Sequence, residues 1–208
     1  MILIGQYDSP FVRRVGVALR LYDIPFEHRP WSTFGEAEKI RAYNPLSRVP
    51  TLVLDDGSVV IESHMFLDYL DSLVPAERAM FPRAEPARRE ALRIAALATG
   101  FSDKAVSLFY ELRLHEAASD LWLARCRAQI AAVLGVLEKD RAAGAGGWWF
   151  GDRIGHADIA VACALRHANE VHPDLIGMED YPALRAHAEK AEALPVFQEI
   201  RQDFIPPA

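Results

Sequence analysis

Cysteine is scarce. Only Cys126 and Cys163 occur in 208 residues, both within helical patterns. That is too few for a disulfide framework and points to a reducing cytoplasm. Long apolar runs are missing, and none approaches the length of a membrane span. Met1–Gly5 is apolar, but no basic segment precedes it and Asp8 follows closely, so it does not read as a signal peptide. Basic clusters are also missing. None exceeds Arg88-Arg89, and the formal charge is −6, which argues against nucleic acid as a partner. The seven histidines form no His-Glu-x-x-His pattern. Neither His167 nor His172 has a cysteine or carboxylate at a recognised ligand spacing, so no metal is expected. No glycine-rich phosphate loop follows a strand, and no internal repeat or low-complexity segment occurs. Gly144–Gly147 follows a helical pattern and leads into Trp148-Trp149-Phe150.

Hydrophobic residues make up 51% of the chain and charged residues 25%, as in a soluble globular protein of one large or two modest domains. Met1–Gly5 reads as a buried strand. Ser9-Pro10 opens a helix, with serine at the cap and proline at the first helical position. That helix ends at Asp23-Ile24-Pro25. A short strand follows at Phe26–Arg29, then a short helix at Ala37–Tyr43. Pro75, Pro82 and Pro86 mark a linker. Beyond it the spacing predicts helices over Ala87–His115 and Asp120–Arg141, a third from Gly155 past Leu165, and two more opened by Tyr181-Pro182 and Leu194-Pro195. Arg13 and Arg14 are expected on a solvated face of the first helix.

The stretch from Asn44 to His64 carries the strongest functional signal. Two β-rich runs, Thr51–Leu54 and Ser58–Ile61, flank Asp56-Gly57, a hairpin turn. Pro50 precedes the first run and cannot donate to a ladder inside it, so Arg48 and Val49 lie in a rigid loop. Glu62-Ser63 opens an amphipathic helix with Met65, Phe66, Tyr69, Leu70 and Leu73 at its apolar positions. Free N–H groups and a hydroxyl at a helix start suit a carboxylate. A loop edge on one side and an anion site on the other suit an extended, peptide-like ligand.

Here the chain resembles the glutathione transferase superfamily. Val49-Pro50 is similar to that family's Val-Pro pair, whose proline is cis and whose preceding backbone pairs with the cysteinyl part of glutathione. Glu62-Ser63 is similar to the pair that holds the γ-glutamyl end. The resemblance implies a thioredoxin-like N-terminal domain (residues 1–76) and an all-helical C-terminal domain (86–208) that contributes a second-substrate site. It implies glutathione as cosubstrate, held by Ser9, Phe11, Arg48, Val49, Pro50, Glu62 and Ser63. Ser9 resembles the serine of theta- and zeta-like classes, whose hydroxyl stabilises the thiolate. Tyr7 is the rival hydroxyl. Arg48 either pairs with the glycine carboxylate or is a solvated loop residue. Phe11, Phe109, Tyr110 and Arg113 are expected around the small hydrophobic electrophile.

Departures from the family pattern are informative. No cysteine stands at the first turn, which argues against disulfide exchange and omega-like reductase activity. Ser9-Pro10-Phe11-Val12 is not the serine- and cysteine-rich turn of zeta-like isomerases, which argues against maleylacetoacetate isomerisation. Gly155 stands where the C-terminal capping motif normally has Ser or Thr, with Asp158 retained. The resemblance further implies a homodimer joined through Met65, Phe66 and Tyr69 with Arg89 and Arg93, Asp103 reaching the partner's ligand, and a role in detoxification. Its rival readings are a non-catalytic binding protein, such as a ligand carrier or an RNA polymerase partner, and a glutathione-dependent isomerase or dehalogenase.

Overall fold

The computed structural model describes residues 1–206. Its first part runs β1 (Ile2–Ile4), α1 (Pro10–Leu21), β2 (Glu27–Arg29), α2 (Ala37–Arg41), β3 (Thr51–Val53), β4 (Val59–Ile61) and α3 (Ser63–Ser72). The sheet order is β2-β1-β3-β4. β1 and β2 are parallel, which requires the α1 crossover. β3 runs antiparallel to both β1 and β4, so the Asp56-Gly57 turn closes a hairpin as its residues predict. This is the thioredoxin-like arrangement.

The second part is helical: α4 (Ala87–Leu114), α5 (Asp120–Ala143), α6 (His156–Val171), α7 (Pro182–Glu192) and α8 (Pro195–Glu199), with a 3-10 turn at Met178–Asp180. α6 is the central helix. Its sequence is apolar nearly all round, as a helix packed on several sides requires. It meets α1, α4 and α7.

Packing from both sides overturns the expectation for Arg13 and Arg14. α1 lies between α3 and α6, and the two side chains are only 2% and 1% exposed. Arg13 forms an ion pair with Glu192 and donates to the Phe197 and Ile200 carbonyls at 2.8 Å each, tying α1 to the C-terminal helices. Arg14 is different. None of its three guanidinium nitrogens has a hydrogen-bond partner among the described residues. Burial lowers its pKa to about 10, so it stays cationic at pH 7.

A buried polar cluster joins the two parts. Asp71, 1% exposed, accepts the Tyr22 hydroxyl, His156 Nε2–H at 2.9 Å and the Phe81 amide at 3.0 Å. α1, α3, α6 and the linker thus meet on one carboxylate. Gly155 belongs to the same junction. A Cβ there would lie 2.8 Å from the Met80 carbonyl oxygen, so the Ser or Thr of the usual motif has no room. Asp158 still accepts the Gly155 amide at 2.9 Å and adds the Trp149 amide at 2.9 Å.

Candidate functional site

Three chain segments converge because Gly5 lacks a side chain. Its φ is +129°, and a Cβ would sit 2.5 Å from Val12 Cγ2 and 2.8 Å from Val49 Cβ. The end of β1, the start of α1 and the loop before β3 can therefore touch.

Ser9 caps α1 from an extended backbone, and its Oγ accepts the Val12 amide at 3.4 Å, long for such a bond. A hydroxyl that accepts there keeps its own proton to donate. Ser9 lines a cleft of about 640 Å³, within the size range of small-molecule sites. Tyr7 lines neither this cleft nor the cavity beside it. It stacks on His28 at 3.8 Å, and burial pushes its pKa up to about 12.

The Val49–Pro50 peptide is cis. Buried Asn44 pins the loop by donating to the Arg48 carbonyl at 3.0 Å and to Thr51 Oγ1 at 3.1 Å. The Val49 N–H and C=O have no hydrogen-bond partner among the described residues. Glu62 adopts φ +67°, ψ 115°, a strained backbone for a non-glycine residue, costing about 1–3 kcal/mol. The first turn of α3 follows at once. Ser63 and His64 line a cavity of about 50 Å³ with Pro50 and Glu62. This cavity shares Phe11, Arg48, Val49 and Asp103 with the cleft. Arg48 and Glu62 form a 3.2 Å ion pair, both largely exposed, so the pair adds little stability.

The charges around the cavity are unequal. Burial draws the His64 pKa down to about 4, and the nearby Arg14 cation pushes the same way, so His64 is neutral at pH 7. Asp103 borders both cavities of its own chain; burial raises its pKa, against the pull of Arg48 and Lys104.

Phe109 and Tyr110 line the cleft with Phe11. Arg113 lies farther along α4 and lines neither cavity. Phe66 is fully buried in the core, so it offers nothing to a partner surface, whereas Met65 is 58% exposed. Asp8, Trp31, Phe34, His167 and Phe204 also line the cleft without having been singled out. Asp8 adjoins Ser9 and was within reach of sequence reasoning. His167 and Phe204 come from the far end of the chain, where nothing local marks them.

Residues 3–78 match the model of the glutathione S-transferase N-terminal domain, and residues 120–190 match that of the C-terminal domain. The chain belongs to the glutathione S-transferase family. It is similar to the uncharacterised GST-like protein YibF of Escherichia coli, with 32% identity over 81% of this chain and 82% of that one. It is 27% identical to the maleylacetoacetate isomerase of Pseudomonas aeruginosa, over 96% of this chain and 94% of that one. A glutathione S-transferase from Methylobacterium radiotolerans, solved in complex with glutathione sulfonate, superposes with a TM-score of 0.90 at 28% identity, covering 100% of this chain and 98% of that one. In this member of the family the cleft and the smaller cavity adjoin through their shared lining residues. No group of three His, Cys, Asp or Glu among the described residues is arranged to hold a metal, and no helix is long and apolar enough to cross a membrane.

Proposed function

We propose that the protein is a glutathione transferase that adds the glutathione thiolate to a small aromatic electrophile. The observation that carries the reading is Ser9. Its hydroxyl stands at the N-terminus of α1, on the cleft, with a proton available for a sulfur. Glutathione is held along the Val49 backbone, with its γ-glutamyl end at Glu62-Ser63 and Phe11 between. Pro50 shapes the loop, and Arg48 takes the glycine carboxylate. The thiol proton leaves to solvent. The thiolate is favoured by the helix terminus and by the charge-assisted bond from Ser9. Attack on an aryl chloride forms the C–S bond and releases chloride. The electrophile lies against Phe11, Phe109 and Tyr110.

The isomerase reading is supported by the relative from Pseudomonas. Maleylacetoacetate is a linear dianion, however, and this cleft is walled by aromatic rings, with its two cations, Arg48 and Lys104, offset by Asp8 and Asp103. That combination favours the transferase. We also propose a cytoplasmic homodimer with a role in detoxification. Met65 and Leu92 are exposed on α3 and α4, and with Tyr69, Arg89 and Arg93 they have the composition of an apolar centre with a charged rim. Light scattering at micromolar concentration checks this, and a monomer refutes it.

Ser9→Ala tests the chemistry. The pKa of bound glutathione, followed by thiolate absorbance, should rise. Turnover with chlorodinitrobenzene should fall by up to about 10²-fold, with little change in glutathione affinity. The fold should survive, since a lost cap costs about 1 kcal/mol. Unchanged pKa and turnover would reduce Ser9 to a helix cap.

A further inference from the structure

We infer that the cleft selects an aryl ligand bearing a hydrogen-bond donor, a hydroxyl or N–H, and that the Asp8 carboxylate receives it. The inference rests on the transferase reading only in identifying that ligand with the electrophile.

The aromatic part of the argument is geometric. Phe109 and Phe204 meet edge-to-face with centroids 5.1 Å apart at 85°, and Phe34 meets Tyr110 at 5.6 Å and 80°. All four rings line the cleft. Such walls accept a flat ring by offset or edge contact.

Asp8 supplies the polar part. It lines the same cleft, one residue before Ser9. Its position is set from both sides. The Asp8 carbonyl accepts His167 Nδ1–H at 3.0 Å, and Oδ2 accepts the Ile205 amide at 3.2 Å. Burial raises the Asp8 pKa, and the backbone amides of Ile205, Ser9 and Asp8 work against that rise. Asp8 has no ion-pair partner among the described residues, and Glu170 adds negative field. A half-buried carboxylate of this kind accepts hydrogen bonds only. A ligand hydroxyl or N–H gives it a charge-assisted bond. An ether in the same place leaves two acceptors facing each other. Sites built to bond a donor discriminate strongly against analogues that lack it.

The test is equilibrium binding to the full chain of 1-naphthol and 1-methoxynaphthalene, each with and without glutathione. Naphthol should bind about tenfold or more tightly than its methyl ether. In Asp8→Asn the naphthol preference should shrink several-fold while the ether keeps its affinity. Equal affinity of naphthol and its ether for the unmodified protein overturns the inference without any variant, as does an undiminished preference in Asp8→Asn. A separate titration with glutathione distinguishes the two readings. If glutathione fails to bind while the naphthol preference holds, the transferase reading falls and the donor site stands.

Discussion

Acidification from pH 7.5 to 5 should destabilise this fold well before its carboxylates titrate, because buried histidines, His167 and His187 among them, are held in neutral form. His167 lies under Phe204, 6% exposed. His187 lies between Trp148 and Trp149, 2% exposed. Burial brings each from 6.5 to a pKa of about 4; for His187 the Arg141 and Lys190 cations push the same way, while a backbone carbonyl opposes in each case. The unfolded chain therefore binds protons first as pH falls. Stability is fully present above about pH 6.5 and is lost as pH drops towards about 4. By pH 5 each histidine has removed about 2 kcal/mol, so together about 4 kcal/mol. That is a large fraction of the ~5–15 kcal/mol of a typical domain. Asp8 and Asp158, whose pKa values are raised by burial, act in the opposite sense, but only as pH nears the carboxylate range. Urea unfolding followed by tryptophan fluorescence should show the midpoint falling by more than about 1 M between pH 7.5 and 5. His187→Gln should flatten the dependence by about one proton. Equal midpoints at the two pH values would refute the reasoning.

Two further outcomes follow from the buried charges. Asp71→Asn places an amide among four donors, the Tyr22 hydroxyl, His156 and the Met80 and Phe81 amides, and should cost about 2–3 kcal/mol. The same junction adds stability that is present above about pH 3.8 and lost towards about pH 2, since the His156, Tyr22 and Phe81 hydrogen bonds outweigh burial and hold the Asp71 pKa near 2; an unchanged urea midpoint in the variant would count against this. Arg14→Met removes a buried cation that has no hydrogen-bond partner. The change should be neutral or stabilising by up to about 4 kcal/mol, and it should raise the His64 pKa from about 4 in an NMR titration. A clear loss of stability with His64 unmoved would contradict the assignment.

What could be read from the sequence was local in its physics. A serine before a proline announces a helix start. Asp-Gly between β-rich runs announces a hairpin. Val-Pro before one strand and Glu-Ser after the next stand out because each pair acts through its own backbone: the Val49–Pro50 peptide is cis and Glu62 takes a positive φ. Arg13 and Arg14 were misread because a charged pair on a helix is solvated unless a second layer covers it, and α6 lies about 150 residues away in sequence. His167 and Phe204 escaped for the same reason: each faces Asp8 or Phe109 only after the chain has closed.

Gly155 teaches the converse. Taken alone, it looks like a weakened cap. In the fold, the Met80 carbonyl occupies the space that a side chain would need. The linker and the α6 cap were thus adjusted to each other, and the lost side-chain bond is exchanged for a close interdomain approach. The Asp71 cluster adjoins that approach: Met80, which passes over Gly155, also donates its amide to Asp71 at 3.2 Å, beside the Phe81 amide and His156. Restoring the family's serine should therefore weaken the junction rather than strengthen the helix.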